Sequence, residues 1–318
     1  MVKKNRQTKG TGFRPTPIAD SLNGWLRKAA RRKIVDLSSW RSGREEATRI
    51  MEAAVPSDRL VDESPELAIY SQVTNWLTQM LEVAQDQRQL RRFADAIASA
   101  EEEYMPSGPP TSPLTSSYFW HWALYDMAMG YGGETVASVF LSLGRVFGYS
   151  EEFLQTLEKL VDSRMGLHAV EAVDGERTTL CELVTSERAV VICQSGWVGS
   201  VGELWLARVL PSPLSPRERS VVVTTPYVIL NPGTKEWLAY IERAVRSEVG
   251  GDLSAHYRRL MKRGKDLRHW NEYIFEAYVN HREEAVFLAG LPDVEESRPH
   301  SKFNENRRDA MGRGESLL

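Results

Sequence analysis

The sequence contains only two cysteines, Cys181 and Cys193, among its 318 residues. Two thiols can form neither a disulfide framework nor a four-cysteine zinc site. Small disulfide-rich domains and domains built around a four-cysteine zinc site are therefore excluded. Both cysteines lie inside apolar segments, and we expect buried free thiols in a reducing compartment. The histidines are scattered and complete no coordination set, so neither a metal ion nor a cofactor is predicted.

Long apolar runs are also lacking. The longest, such as AVVIC at 189–193, are far shorter than the roughly 20 residues of a membrane-spanning helix. The basic N-terminus is not followed by the apolar stretch that a signal peptide needs. We therefore expect a cytoplasmic protein with no membrane partner.

Acidic side chains are scarce in residues 1–44, where Asp20 and Asp36 stand against twelve lysines and arginines. The formal charge of this stretch is +10, which leaves −13 for residues 45–318 of a chain whose net charge is −3. A basic arm on an acidic body can neutralise the phosphates of a nucleic acid, fold against its own acidic surface, or stay solvated. We expect it to contribute few side chains to the core. The candidate nucleic-acid-binding residues are Arg27, Lys28, Arg31, Arg32 and Lys33. On a helix their side chains would face several directions, which suits contacts to phosphates better than the reading of bases.

The N-terminal half has mostly helical periodicity. We expect residues 1–47 to form the basic, partly disordered arm and residues 48–166 to form a helical block. One helix begins with Ser64 as its N-cap and Pro65 at its first position. Further helices are predicted at about 88–103, 118–130, 134–147 and 151–166, with a proline-rich loop or linker at 106–113.

From residue 167 the period changes to that of strands. Turn signals separate short segments that predict strands at 167–173, 177–184, 188–194, 203–210, 219–224 and 226–230. The connections leave no room for crossover helices, so residues 167–232 are predicted to form a small antiparallel barrel or a strongly twisted sheet. Helices resume over 233–294, at 235–249, 254–263 and 270–288, and a polar tail occupies 295–318. The predicted fold class is therefore α+β, with a helical block on each side of a barrel-like β-module.

Three glycines recur in VICQSGWVGSVGELWLARVLP (191–211), namely Gly196, Gly199 and Gly202. A phosphate loop presents its backbone amides at the start of a helix that follows a strand. Here the residues after Gly202 follow a strand pattern, and no lysine follows to reach a phosphate. The glycines are therefore interpreted as a hairpin turn, and their spacing around Ser200 does not match a nucleophile elbow.

Two HxxE pairs in the C-terminal block suggest a metal site, and they are His269 with Glu272 and His281 with Glu284. On one continuous helix the two histidines would lie on different faces, because twelve residues correspond to a rotation of about 120°. The pairs could not then share one ion. No metal ligand is predicted.

Two polar residues interrupt apolar segments. His121 lies in an aromatic helix and is interpreted as a hydrogen-bonded histidine rather than a catalytic base. Arg208 interrupts a strand, so its charge must reach solvent or pair with a carboxylate such as Glu182 or Glu203.

Four short motifs stand in a defined order between residues 116 and 230. They are Phe119, Trp122 and Asp126 in the aromatic helix, Ser163-Arg164 before the strands, the turn at 182–187, and the strand at 202–211. In these motifs the chain resembles a group of bacterial proteins without an established activity, many of which carry a zinc motif like that at the C-terminus of SecA. The resemblance implies a helical block followed by a small β-barrel, and it implies no catalytic residue. The cysteine-rich zinc motif is missing here, so zinc binding is not implied.

These features favour a non-enzymatic binding or accessory protein that contacts nucleic acid or a protein partner through the basic arm and the β-module. Two alternatives are left open. A subunit of a larger assembly would expose a large apolar patch. An enzyme would have a cleft with converging polar groups between the helices and the barrel. The sequence predicts no catalytic residue.

Overall fold

A computed structural model describes residues 16–31, 65–84, 88–105, 112–213, 219–246 and 252–301, together with Ser42, Glu45, Thr48 and Arg49. The helices are α1 Pro17–Arg31, α2 Pro65–Ala84, α3 Arg88–Tyr104, α4 Ser116–His121, α5 Val136–Phe147, α6 Glu151–Asp162, α7 Thr234–Arg246, α8 Leu253–Arg263 and α9 His269–Ala277. A π-helical turn, Trp122–Asp126, continues α4, and a 3-10 turn covers Glu295–Ser297. The strands are β1 Met165–Asp174, β2 Arg177–Glu182, β3 Arg188–Cys193, β4 Leu204–Leu210, β5 Ser220–Val222, β6 Tyr227–Asn231, β7 Tyr278–His281 and β8 Val286–Ala289.

Local signals set several helix ends. Pro65 occupies the first position of α2 as predicted, whereas Ser64 lies outside the described residues. Ser150 caps α6 by accepting a hydrogen bond from the amide of Phe153, and Gly148 ends α5 in the left-handed conformation. The predicted extension of α6 to residue 166 is wrong, and the helix ends at Asp162, because β1 begins at Met165 and pairs with β4.

The β-module is a closed five-stranded barrel. Its strands follow the order β1–β2–β3–β5–β4, and β4 returns to pair with β1, with His168 opposite Trp205. β6, β8 and β7 extend the sheet from β4. The predicted α+β class, with helices on both sides of a small barrel, is confirmed. Most strand pairs are antiparallel, but β3–β5 and β6–β8 are parallel. The members of each parallel pair are not consecutive in the chain, since β4 separates β3 from β5, and three helices and β7 separate β6 from β8.

The C-terminal part contains a hairpin where the sequence predicts one helix over 270–288. α9 ends at Ala277, and β7 and β8 follow as an antiparallel pair. β8 is the buried apolar run Val286–Ala289, which pairs with β6. A short run of this kind has the same apolar character in a buried helix and in a buried strand, so its periodicity does not distinguish them.

One apolar core joins most of these elements. Side chains from α1 to α9 and from the barrel pack in a single cluster that includes Trp76, Phe153, Leu206 and Trp237. A smaller cluster inside the barrel includes Trp205. None of the described helices combines the length and the apolar character of a membrane-spanning segment.

Candidate functional site

Helix α1 carries the first of the predicted nucleic-acid-binding residues. Its apolar face, with Ala19, Leu22 and Leu26, is buried in the main core, and the helix packs against α5 and α3. The expectation that the arm contributes few core side chains is therefore wrong for Pro17–Arg31. The reason is that an amphipathic helix buries its apolar stripe even when its net charge is high.

The start of α1 is held by a buried carboxylate. The backbone amides of Ile18 and Ala19 donate hydrogen bonds of 2.8 and 3.0 Å to the two carboxylate oxygens of Glu134. Glu134 is 4% exposed. An acidic group at this end satisfies unpaired amides and complements the positive end of the helix dipole. A carboxylate of the acidic body therefore contacts the backbone of this helix.

The predicted phosphate-contacting residues are placed as follows. Arg27 and Lys28 are exposed on α1, beside Trp25, whose exposed fraction is 36%. Arg31 ends the helix, while Arg32 and Lys33 lie outside the described residues. Neither Arg27 nor Lys28 forms an ion pair with the described part of the chain. We call Arg27 and Lys28 the α1 cations.

A second group of charges surrounds Glu182 at the end of β2. Arg164 donates to both carboxylate oxygens, at 2.5 and 2.8 Å, and Thr185 and Tyr257 donate through their hydroxyls at 2.5 and 3.2 Å. Burial alone would raise the pKa of Glu182, but the hydrogen bonds and charge of Arg164 outweigh it and hold the pKa below its ordinary value. A carboxylate with four donors has no free lone pair for proton transfer, so this cluster is a structural clamp.

Arg208 is the centre of a third group of charges. It is fully buried, and its guanidinium donates to the Asp126 carboxylate and, at 2.7 Å, to the Ser163 hydroxyl. The predicted pairing with a carboxylate is correct, but the partner is neither Glu182 nor Glu203. Sequence reasoning does not find Asp126, because it is 82 positions away in the chain.

Lys262 of α8 completes the Arg208 group. Its ammonium contacts Asp126 at 3.3 Å and donates to the carbonyls of Val161 and Ser163, both at 2.6 Å. Burial lowers the pKa of Lys262 to about 8. We call Asp126, Ser163, Arg208 and Lys262 the Arg208 network. It joins the π-helical turn, the segment before β1, strand β4 and helix α8.

The four sequence motifs meet in these two clusters. Asp126, Ser163 and Arg208 are in contact, and Arg164 contacts Glu182. Each of the four motifs supplies at least one of these residues. Comparisons of the chain with protein-family models, with curated proteins and with solved structures give no match.

A cleft of about 770 Å³ lies between α6 and the barrel and contains converging polar groups. Arg164 and Glu182 line it but are paired with each other. Lys159 donates to the carbonyl of Ser212, and Arg188 is paired with Glu171. The four ionisable groups of the cleft named here are therefore committed to internal partners.

The three loop glycines all have positive φ, at 79°, 71° and 92° for Gly196, Gly199 and Gly202. The turn interpretation is confirmed in this respect, since L side chains rarely adopt such φ values. The amides of Gly196 and Gly202 donate to the carbonyls of Cys193 and Val170 and cannot hold a phosphate. The loop is not a hairpin, however, because β3 pairs with β5 and not with β4.

The histidine predictions are corrected in two respects. His121 is buried, but its Nδ1 has no hydrogen-bond partner among the described residues. His269 and His281 lie on α9 and β7, not on one helix. His269 contacts the hydroxyl of Tyr240 at 2.9 Å and His281 that of Tyr278 at 2.7 Å. Among the described residues, no three His, Cys, Asp or Glu side chains are placed to hold a metal ion.

Proposed function

We propose that this protein is a non-enzymatic binding or accessory protein that contacts nucleic acid through the α1 cations and the basic residues that follow them. The single observation that carries the proposal is the docking of α1. Its apolar face is buried in the core while Arg27 and Lys28 are exposed. A helix fixed in this way presents its charges to an anionic partner.

Preorganisation supports phosphate contact. A long cationic side chain on a fixed helix loses less conformational freedom on binding than one on a disordered tail. Contacts to phosphate release counterions and carry no sequence information by themselves. We therefore infer sequence-independent binding. Cys181 and Cys193 are half-buried and form no disulfide bond. Free thiols are typical of proteins in a reducing compartment, and we propose that the protein acts in the cytoplasm.

Substitution on the exposed face tests this proposal better than deletion, because α1 also contributes to the core. The variant Arg27→Gln/Lys28→Gln removes two charges without removing a buried side chain. The matched control, Lys235→Gln/Lys265→Gln, removes two exposed charges from the C-terminal block. We expect the α1 variant to weaken binding to random duplex DNA and to single-stranded RNA, and the control to leave it within about twofold.

The salt dependence supplies the second measurement. The logarithm of affinity should fall linearly with the logarithm of salt concentration. The α1 variant should reduce that slope by roughly 0.9 for each phosphate of duplex DNA that the protein no longer neutralises. Equal melting temperatures would show that both variants are folded. A wild-type protein that binds neither nucleic acid at low salt, or equal slopes for the two variants, would contradict the proposal.

A further inference from the structure

A groove of about 490 Å³ lies where the helical block meets the barrel. Asn75 and Gln79, one turn apart on α2, form one wall. Ser116 and Trp120, one turn apart on α4, form the second wall, and Gln194, after β3, contributes from the barrel. Residues four positions apart lie on one helical face, so three elements direct polar side chains to one space.

The lining of this groove is uncharged. Among the described residues that form it there is no Asp, Glu, Lys or Arg, whereas the clefts beside α6 and beside α8 contain both signs of charge. The sequence of α2 shows the same feature, since the fifteen residues between Glu66 and Glu82 include no charged side chain. Exposed helix faces normally carry charges. Charged side chains would make this face equally soluble, so the need for a soluble surface does not by itself explain why the groove is polar and uncharged.

Several hydrogen-bonding groups in the groove are not used by the fold. The side chains of Asn75, Gln79 and Gln194 are exposed and form no hydrogen bond within the described part of the chain. His121 borders the groove with 6% of its surface exposed, and its Nδ1 has no partner among the described residues. Burial lowers the pKa of His121 to about 3, so the ring is neutral.

We propose that this groove binds a neutral saccharide. Carboxamide and hydroxyl groups both donate and accept hydrogen bonds, and the hydroxyls of a sugar do the same. Trp120, which is half-buried at the groove, offers an amphipathic ring to the less polar face of a sugar ring. The volume lies within the usual range for small-ligand sites.

The same lining argues against a charged ligand. A phosphate or carboxylate that enters the groove would lose water and find no counter-charge among the lining residues, which is unfavourable. The site is therefore separate from the proposed nucleic-acid interface. Phosphorylated and acidic sugars should be rejected.

The first test is a binding screen of the full chain against an array of neutral oligosaccharides, with sulfated and uronic-acid oligosaccharides on the same array. We expect at least one neutral oligosaccharide to bind and the acidic ones not to bind. Titration calorimetry with the best neutral oligosaccharide then gives its dissociation constant.

The second test is a comparison of variants with that oligosaccharide. Asn75→Ala/Gln194→Ala removes two exposed carboxamides from two walls of the groove, and we expect the affinity to fall at least about tenfold. The control Asn280→Ala removes an exposed carboxamide from β7 and should change the affinity less than about twofold. All three proteins should have the same melting temperature, because the substituted side chains are exposed.

Three outcomes would overturn the proposal. They are the absence of neutral-saccharide binding at concentrations on the order of millimolar, binding of acidic saccharides alone, and an unchanged affinity in the folded double variant. None of these outcomes depends on whether the α1 cations bind nucleic acid.

Discussion

Two buried histidines and one half-buried histidine have strongly lowered pKa values. Burial is the main cause for all three, and it lowers the pKa of His121 to about 3 and those of His168 and His269 to about 4. A neutral imidazole therefore fits each site, and a charged one does not. The consequence is a dependence of stability on pH that these three side chains share.

We expect the free energy of unfolding to fall as the pH drops from about 6.5 towards 5. In this window the unfolded chain protonates histidines that the folded chain keeps neutral, and each contributes a slope of up to about 1.4 kcal/mol per pH unit. Urea denaturation at a series of pH values measures the slope. His121→Gln should reduce it, and His281→Gln, at an exposed position, is the matched control. A wild-type stability that does not change over this window would contradict the burial of neutral histidines.

Among the elements, α1 and the glycine loop show how a few interactions position a segment. α1 is joined to the body by its apolar face and by the carboxylate of Glu134. The glycine loop connects β3 to β4, and the amides of Gly196 and Gly202 donate to the carbonyls of Cys193 in β3 and Val170 in β1. Both elements therefore depend on a few identifiable groups.

Removal of the Glu134 carboxylate should loosen α1. We expect Glu134→Ala to lower the free energy of unfolding by about 1–2 kcal/mol, as loss of an N-terminal helix cap does. Limited trypsin digestion should also cut more quickly after Arg27 and Lys28. Glu151→Ala, which removes an exposed carboxylate from the first turn of α6, is the control. Unchanged digestion of Glu134→Ala would show that the carboxylate does not hold the helix.

The glycine loop allows a comparison of two positions with the same backbone requirement. A Cβ at Gly202 would have no atom within 4 Å. Gly202→Ala should therefore lower the free energy of unfolding only by the cost of a positive φ in an L residue, which is about 1–2 kcal/mol. A Cβ at Gly199 would lie 2.5 Å from the Trp205 ring and 2.6 Å from a carboxylate oxygen of Glu203. We therefore expect Gly199→Ala to destabilise the protein more than Gly202→Ala in urea denaturation. The reverse order would show that the loop does not pack on Trp205.

At the scale of the whole molecule, the Arg208 network links segments that are far apart in the sequence. Asp126, Arg208 and Lys262 come from the N-terminal helical block, the barrel and the C-terminal helices. The main core also contains side chains from all three regions. We therefore expect the described regions to unfold together rather than as separate units.

Asp126→Ala tests this connection. The substitution leaves the buried charge of Arg208 without its carboxylate, and we expect the free energy of unfolding to fall by about 3–5 kcal/mol. Glu242→Ala breaks the exposed pair with Arg246 and should change the stability by less than about 0.5 kcal/mol. Tryptophan fluorescence and far-ultraviolet circular dichroism should report one common transition in each protein. Separate transitions for the barrel and the helices would contradict a single cooperative unit.

The sequence by itself determined the α+β class and many local features. The residues that set the ends of helices act on their immediate neighbours, and the predicted positions of Pro65, Gly148 and Ser150 at helix ends are confirmed. The positive φ of the loop glycines follows in the same way from the residue type. The resemblance of residues 116–230 to a bacterial group stays a prediction, as does the role of the α1 cations.

Only the tertiary structure decided which segments meet. The contact between α1 and Glu134 and the ion pair between Arg208 and Asp126 cannot be recognised from a local sequence pattern. In both cases the partners are more than eighty positions apart in the chain. Residues 67–81 of α2 contain no charged side chain, but the groove that they help to line forms only where α4 and the barrel come near. The strand order is likewise decided by the tertiary structure. β3 pairs with β5 through backbone hydrogen bonds, and because every non-proline residue carries the same backbone groups, the sequence does not specify the partner strand. Local signals set where the elements begin and end, and packing of the buried surfaces sets how they are arranged.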